Sequence, residues 1–286
     1  MCFERNRAVG VELADGEIVR GAKVALCAGA LGTPAILLRS GVGPRAHVEA
    51  LGIEPRLDAP AVGARLYDHP SVPIYLRPPP GECVIGRDPR FQIVATLASD
   101  AAGEARDLQL VMTTHLDISG SPALRAAAGV PVVAVLRAAL MLPRSHGSVR
   151  LTSADPTAAP RIELNYVSHA DDMRRLLALT RLARQIASSP ELSQVHQGIV
   201  APTAETVHSD ELLRAYIVAN IGTYCHALGT APMGAGRDAV VDERCRVHGL
   251  DNLWLIDASV FPTVPSAVPN LTVIMLAERV AAWLRD

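Results

Sequence analysis

The sequence predicts a mixed α/β (α+β) chain in two parts, and three observations carry that prediction. A β-branched run, a Gly/Ala turn and a helical segment follow one another in "VALCAGALGTPAILLRS", residues 24–40. Residues 72–166 hold several segments with strand-like alternation or β-branched runs. Beyond them, residues 171–187 and 269–286 carry apolar side chains at helical spacing. At 286 residues the chain is long enough for two domains, at roughly 150 residues per domain.

In order along the chain, "RAVGVEL" and "EIVRGAKVALCA" flank "ADGE", where Asp15-Gly16 signals a hairpin. Residues 7–28 therefore read as a β-meander entering a final strand. "TPAILLRS" reads as a short helix with Thr33 at the N-cap and Pro34 at the first helical position. "SGVGP" ends it, glycine suiting the left-handed conformation past a helix end. Residues 58–80, rich in Pro and Gly, read as an irregular crossing segment. "FQIVATLA", "DLQLVMTT", "GSVRLTS" and "PRIELNYV" read as strands, while "GVPVVAVLRAALM" fits strand or helix equally. In "DDMRRLLALTRLARQIA", Met173, Leu176, Leu177, Leu182, Ile186 and Ala187 form the buried stripe and the arginines face away. Ser168, three residues before Asp171, resembles a capping box, and Pro190 closes the helix. A helix at "DELLRAYIVAN" and a glycine-rich loop, "YCHALGTAPMGAG", follow. "AVVDERCRVHGLDNLWLIDAS" reads as two short strands, the second buried and ending in an Asp. The terminal helix packs a stripe of Val273, Leu276, Val280 and Leu284 against a sheet.

Composition narrows the function classes. Hydrophobic residues make up 49% and charged residues 20%, with a net charge of −2, which gives no footprint for nucleic acid or an acidic membrane surface. Cys2, Cys27, Cys83, Cys225 and Cys245 are scattered with no CxxC, so reduced thiols in a cytoplasm are expected and a zinc ribbon or disulfide scaffold is not. The N-terminus lacks the apolar segment of a signal peptide. The most apolar run, 14 residues broken by Arg137, is too short to span a bilayer. These features lead to the expectation of a soluble, cytoplasmic chain.

Several chemistries fail on inspection. "GVGPRA", residues 41–46, fits G-x-G-x-x-A but follows a helix rather than a strand, so it reads as a helix end and turn. There is no GxxxxGK[ST] and no G-x-S-x-G, which removes phosphate-loop ATPases and elbow-type hydrolases, and with no HExxH and no clustered Cys/His set a metal site is not expected. Small residues at Ala28, Gly29 and Ala30 permit close approach of a ligand or tight helix–strand packing equally well. His226 in the glycine-rich loop and Asn270 at the mouth of the last helix are candidate polar groups. On spacing alone they carry no catalytic assignment, because a lone His is usually structural and Asn is a common N-cap.

Taken together, the motifs resemble the glucose–methanol–choline (GMC) flavoprotein oxidoreductases. "GALGTPAILLRSGVG", residues 29–43, matches the family's second signature, and the match continues through Asp68-His69 with Arg65 where the family usually has Asn. "PRSHGSVRLTSADPTAAPRIELNYVSHADD", "HALGTAPMG", "VVDERCRVHGLDNLWLIDASVFP" and "PNLTVIMLAERVA" resemble the family's C-terminal region, in family order.

The resemblance implies a partial Rossmann-like FAD-binding domain plus a substrate domain with an antiparallel sheet and flanking helices. Residues 1–69 would belong to the FAD-binding domain and residues 70–200 to the substrate domain. Residues 201–286 would carry the catalytic loop and return to the FAD-binding domain. It implies oxidation of an alcohol, with His226 and Asn270 as the catalytic pair. FAD contacts would fall at Ala28, Gly29, Asp257, Ala258, Asn270 and Thr272. An imidazole near its ordinary pKa suits removal of a hydroxyl proton, and an amide donor can stabilise the alkoxide. With few aromatic residues to cage a quaternary ammonium group, a primary or aryl alcohol is expected rather than choline.

Family members carry a βαβ unit with pyrophosphate-binding glycines well before a stretch like "ALCAGALGTP", which here starts at residue 25. The chain thus resembles a C-terminal half. Weak or no flavin binding is expected unless an N-terminal half or second polypeptide partners it. A cofactor-free remnant and a flavin-dependent hydroxynitrile lyase are the alternatives.

Overall fold

The computed structural model describes residues 1–99 and 106–285. Residues 100–105, within the strand-rich stretch, and residue 286, the end of the expected terminal helix, lie outside the described residues. The chain divides into two compact units: Met1–Asp68 with Ser145–Asn165 and Cys225–Asp286, and His69–Arg144 with Tyr166–Tyr224. Residues 145–165 thus fall in the first unit and residues 201–224 in the second.

The first unit opens on the expected meander, an antiparallel sheet of Cys2–Glu4, Arg7–Glu12 and Ile18–Arg20. The hairpin closes where Leu13 N–H meets Glu17 O, with Gly16 at φ +87°. Strand Val24–Leu26 then pairs in parallel with Leu253–Leu255, Val24 facing Leu253 and Leu26 facing Leu255. Only Leu253–Leu255 is a full strand in the late segment; Val241, Val247, Arg246 and Trp254 are joined by isolated bridges. Helices Gly29–Arg39 and Asn270–Arg285 cover the core, to which Leu37, Leu38, Leu253, Leu255 and Val280 contribute. Of the expected terminal stripe, Val280 is fully buried and Leu276 and Leu284 pack beside it. The helix end expected at "SGVGP" holds at Gly41, which takes φ +76° and where a Cβ would lie 2.2 Å from Glu54 O. The expected turn does not extend further, because Val42–Gly43 is a short strand paired in parallel with Leu57–Asp58.

The helix after Val24–Leu26 begins earlier than its sequence signals suggest. It starts at Gly29, with Ala28 at the N-cap, so Thr33 and Pro34 lie inside it. Proline has no N–H to give the carbonyl four residues back, Ala30 O. That carbonyl is instead taken by the hydroxyl of Thr230 at 2.7 Å. Thr230→Val is expected to destabilise the chain by about 1–3 kcal/mol by stranding a buried carbonyl. Urea unfolding measures this, and an unchanged midpoint would show the carbonyl is satisfied otherwise.

The second unit is a six-stranded antiparallel sheet in the order Ile199–Ala201, Pro70–Leu76, Val132–Leu140, Leu108–Asp117, Phe91–Leu97, with Gly222–Thr223 also on Pro70–Leu76. Pro70–Leu76, expected to be irregular, is a strand because Val72, Ile74 and Leu76 alternate into the core. Its Pro73 sits between the two short flanking strands, where no ladder N–H is needed, and its carbonyl accepts from the Tyr216 hydroxyl at 2.8 Å. "VVAVLRAAL" resolves as strand, pairing on both sides.

Helices Ala170–Ala187 and Asp210–Asn220 pack on the face that carries Leu110, Leu136 and Ala138. Two features of the first helix depart from the sequence reading. Its N-cap is His169, whose Nδ1 accepts from Asp171 N–H, not Ser168. Its buried face is Met173, Leu176, Leu177, Leu179, Ala183 and Ala187 with Leu182 exposed, and Arg175 points inward at 1% exposure. There Arg175 meets Asp107 and Asp172, each at 2.9 Å.

Candidate functional site

The parallel pair delivers two turns side by side at the carboxyl ends of its strands, the place where open α/β sheets bind ligands. One turn is Cys27-Ala28-Gly29 and the other Ile256-Asp257-Ala258. Asp257, 5% exposed, ties them together. Its Oδ2 accepts from Gly29 N–H at 3.0 Å and from the Thr33 hydroxyl at 2.5 Å, and its Oδ1 accepts from Ser259 N–H at 2.7 Å. The Thr33 hydroxyl in turn accepts from Ala28 N–H at 3.2 Å. Thr33 is thus a latch to the neighbouring turn rather than the N-cap of its own helix. Gly29 takes φ +75° with nothing near its would-be Cβ, so conformation rather than space calls for glycine there. The thiol of Cys27 is raised above its ordinary pKa by burial and then by the Asp257 charge.

The glycine-rich loop runs alongside the second turn. Gly229 N–H donates to Ala258 O, Ala231 N–H to Ser259 O and Met233 N–H to Val260 O, at 2.8–3.0 Å. The loop is also bridged to Tyr67 through Leu228. At its head, His226 N–H donates to Asp68 Oδ1 at 2.9 Å. Burial lowers the His226 pKa from its ordinary value, and the Asp68 charge opposes that shift. The structure therefore gathers Ala28, Gly29, Asp257, Ala258 and the His226 loop through one chain of hydrogen bonds.

Asn270 and Thr272 occupy the exposed first turn of the last helix, which holds no acidic residue. Asn270 is the first residue of that helix rather than the residue before it. Leu271, Ile274 and Met275 form an apolar flank on the same helix, 77%, 50% and 58% exposed.

Sequence reasoning gave no role to Thr33 as a latch, to Thr230, to Ser259 or to Asp68. For Asp68 the signal was present, since the Asp-His dipeptide belongs to the matched motif. For the other three, only the fold reveals the partner. Among the described residues, no group of three or more His, Cys, Asp or Glu side chains is placed to hold a metal ion. Among the described residues, no helix is long and apolar enough to cross a membrane.

Two parallel strands ending in glycine and aspartate turns, with a histidine loop laid along one of them, define an α/β unit, and the remainder of the chain forms an antiparallel-sheet unit. Residues 2–71 and 143–277 match the N- and C-terminal parts of the GMC oxidoreductase family. An oxygen-dependent choline dehydrogenase of Chromohalobacter salexigens is 32% identical over 99% of this chain and 54% of its own length. A 5-(hydroxymethyl)furfural oxidase of a Methylovorus species is 34% identical over 96% of this chain and 54% of its own length. The crystal structure of the pyridoxine 4-oxidase attributed to "Mesorbium loti" superposes with a TM-score of 0.86 at 26% identity, covering 98% of this chain and 55% of that one. The chain belongs to the GMC oxidoreductase family, and it spans about half the length of the curated relatives it matches.

FAD is the cofactor of that family, and the first unit fits such a group. The Ser259 hydroxyl is buried with no partner. Helix Asn270–Arg285 starts without an acidic residue in its first turn, whereas the first N–H of Gly29–Arg39 is already taken by the Asp257 carboxylate. The partial positive charge at the start of Asn270–Arg285 suits an electron-accepting ligand.

Proposed function

We propose that this chain supplies the proton-transfer loop and the substrate sheet of an FAD-dependent alcohol oxidoreductase. The observation that carries this reading is the hydrogen-bonded run from the Gly29 turn through Asp257 and Ala258 to the loop bearing His226. Ala28, Gly29, Asp257, Ala258, Asn270 and Thr272 are the residues that would hold FAD. Bound there, FAD supplies the hydride acceptor, its N5, for the carbinol carbon of the alcohol. His226 takes the hydroxyl proton, because burial favours its neutral form. Asn270 supplies an amide donor to the developing alkoxide, reinforced by the open helix N-terminus it begins.

The substrate is a primary or aryl alcohol. Ten aromatic residues in the whole chain offer little for an ammonium cage, and the exposed Cys225, not an aromatic, precedes His226. The first nucleotide-binding unit comes from an N-terminal half or a second polypeptide. The exposed flank of Leu271, Ile274 and Met275 fits coverage by that partner.

The test is to combine the chain with such a half and assay an alcohol panel against an artificial electron acceptor, with cyanide release measured in parallel. Acceptor reduction supports the reading, and cyanide release without it replaces the reading with lyase chemistry. The 286-residue chain alone is expected to purify with weak or no flavin colour, since it holds no strand-borne G-x-G-x-x-G loop. Stoichiometric flavin absorbance in the visible would refute that expectation.

A further inference from the structure

We infer that Asp68 is the positioning residue of His226: its buried carboxylate accepts the main-chain N–H of the histidine and fixes the loop that carries the imidazole. The inference rests on the reading of His226 as the proton acceptor and deepens it.

The loop needs such a fixture. Cys225, immediately before His226, has φ +64°, a left-handed conformation that a residue with a Cβ keeps only when its surroundings hold it there. Asp68, 4% exposed, provides the hold through the 2.9 Å bond from His226 N–H. Asp68 is itself anchored by the residues before it. Leu66 exchanges two main-chain bonds with Gly147 at 2.9 and 2.8 Å, and Tyr67 exchanges two with Leu228 at 3.0 and 2.9 Å. The Tyr67 ring packs edge-on against His146, with centroids 5.6 Å apart. It also lies against Gly229, where a Cβ would fall 3.0 Å from the ring. His226 and Leu228 are thus both stitched to the same short strap, Asp68 and Tyr67, and the intervening turn has little freedom.

Holding an N–H requires only an oxygen, which an asparagine amide also offers. A buried carboxylate is costlier to desolvate than an amide. The cost is returned when a positive charge forms beside it, as it does on His226 when the imidazole accepts a proton. The other titratable residues are Tyr67 and His69 on either side of Asp68, Tyr224 and Cys225 just before His226, His146 against the Tyr67 ring, and Asp257 on the turn that the loop runs along. The carboxylate of Asp68 acts on the imidazole in the direction of proton uptake, against burial.

The experiment uses the full chain and needs neither flavin nor turnover. Histidine Cε1–H resonances are titrated by NMR in isotopically labelled protein, with His226→Gln assigning the His226 signal. Asp68→Asn keeps the acceptor oxygen and removes the charge. Its expected result is a downward shift of the His226 titration midpoint, with His196 and His248 unmoved and the fold intact. An unmoved His226 midpoint in Asp68→Asn overturns the inference. Asp68→Ala removes oxygen and charge together, and in the complemented enzyme is expected to lower kcat/KM by about 100-fold through misplacement of the base. Should that variant fail to fold, the Asp68→Asn titration decides alone. If His226→Ala leaves turnover unchanged while Asp68→Asn still shifts the titration, the base role of His226 falls and the Asp68–His226 pairing stands.

Discussion

Replacing His226 with alanine is expected to lower kcat of the complemented, flavin-loaded enzyme by about 10²–10⁴-fold, the usual contribution of a positioned general base. The substrate KM should change little, because the imidazole acts on the proton that moves rather than on the bulk of the alcohol. Turnover unchanged within a factor of two, in an enzyme that still holds its flavin, would remove His226 from the reaction. The pH profile gives a second reading of the same group. Burial depresses the His226 pKa, so the neutral base persists to lower pH than an ordinary imidazole. The rise of kcat/KM with pH should therefore be centred below the ordinary histidine pKa. A rise centred above that value would contradict the buried setting of the ring.

How much of this was legible in the sequence depends on the range of the forces that set each feature. The meander, the two long helices and the strand "LWL" follow from short-range periodicity, and their types agree with the structure. The first helix did not begin where its signals pointed. Thr33 and Pro34 look locally like a cap and a first turn. The Asp257 carboxylate, 224 residues away, claims the Thr33 hydroxyl, and Thr230 covers the carbonyl that Pro34 leaves open. Pro70–Leu76 was hidden by its prolines, which are tolerable only because two short strands flank Pro73 and leave it a gap. Motif matching pointed to His226 and to the Gly29 and Asp257 turns. It said nothing of Asp68 as a partner of His226, since a bond across 158 residues leaves no local pattern. Arg175 is the plainest case. Helical period placed every arginine of its helix in solvent, and no single-segment reading could know that Asp107 waits just before the strand Leu108–Asp117.

Arg175→Met is expected to destabilise the chain by about 3–5 kcal/mol, the usual cost of removing one partner from a buried ion pair. The guanidinium is 1% exposed and donates to Asp107 Oδ2 at 2.9 Å, Asp172 Oδ1 at 2.9 Å and Leu142 O at 2.9 Å. Methionine fills much of the same volume, so the loss reports stranded carboxylates more than a cavity. Asp107 retains two bonds from Ser99, both at 2.7 Å, and Asp172 retains Arg144 N–H at 3.0 Å. The Ser99 bonds supply no compensating charge to Asp107. Adding Asp107→Asn to Arg175→Met should therefore recover part of the loss, because the amide removes one buried charge and keeps an acceptor for Ser99. Urea unfolding of the two variants measures both effects. If the double variant is no more stable than the single one, the penalty lies in packing rather than charge. The pH dependence carries the same sign. Burial alone would raise the Asp107 carboxyl, but the bonds from Ser99 and Arg175 hold it below the ordinary aspartate value. Its contribution is present above the unfolded carboxyl pKa and lost as pH falls through the depressed folded value. Acid unfolding of the unaltered chain should thus include an Asp107 component below the normal carboxylate range, and Asp107→Asn should remove that component.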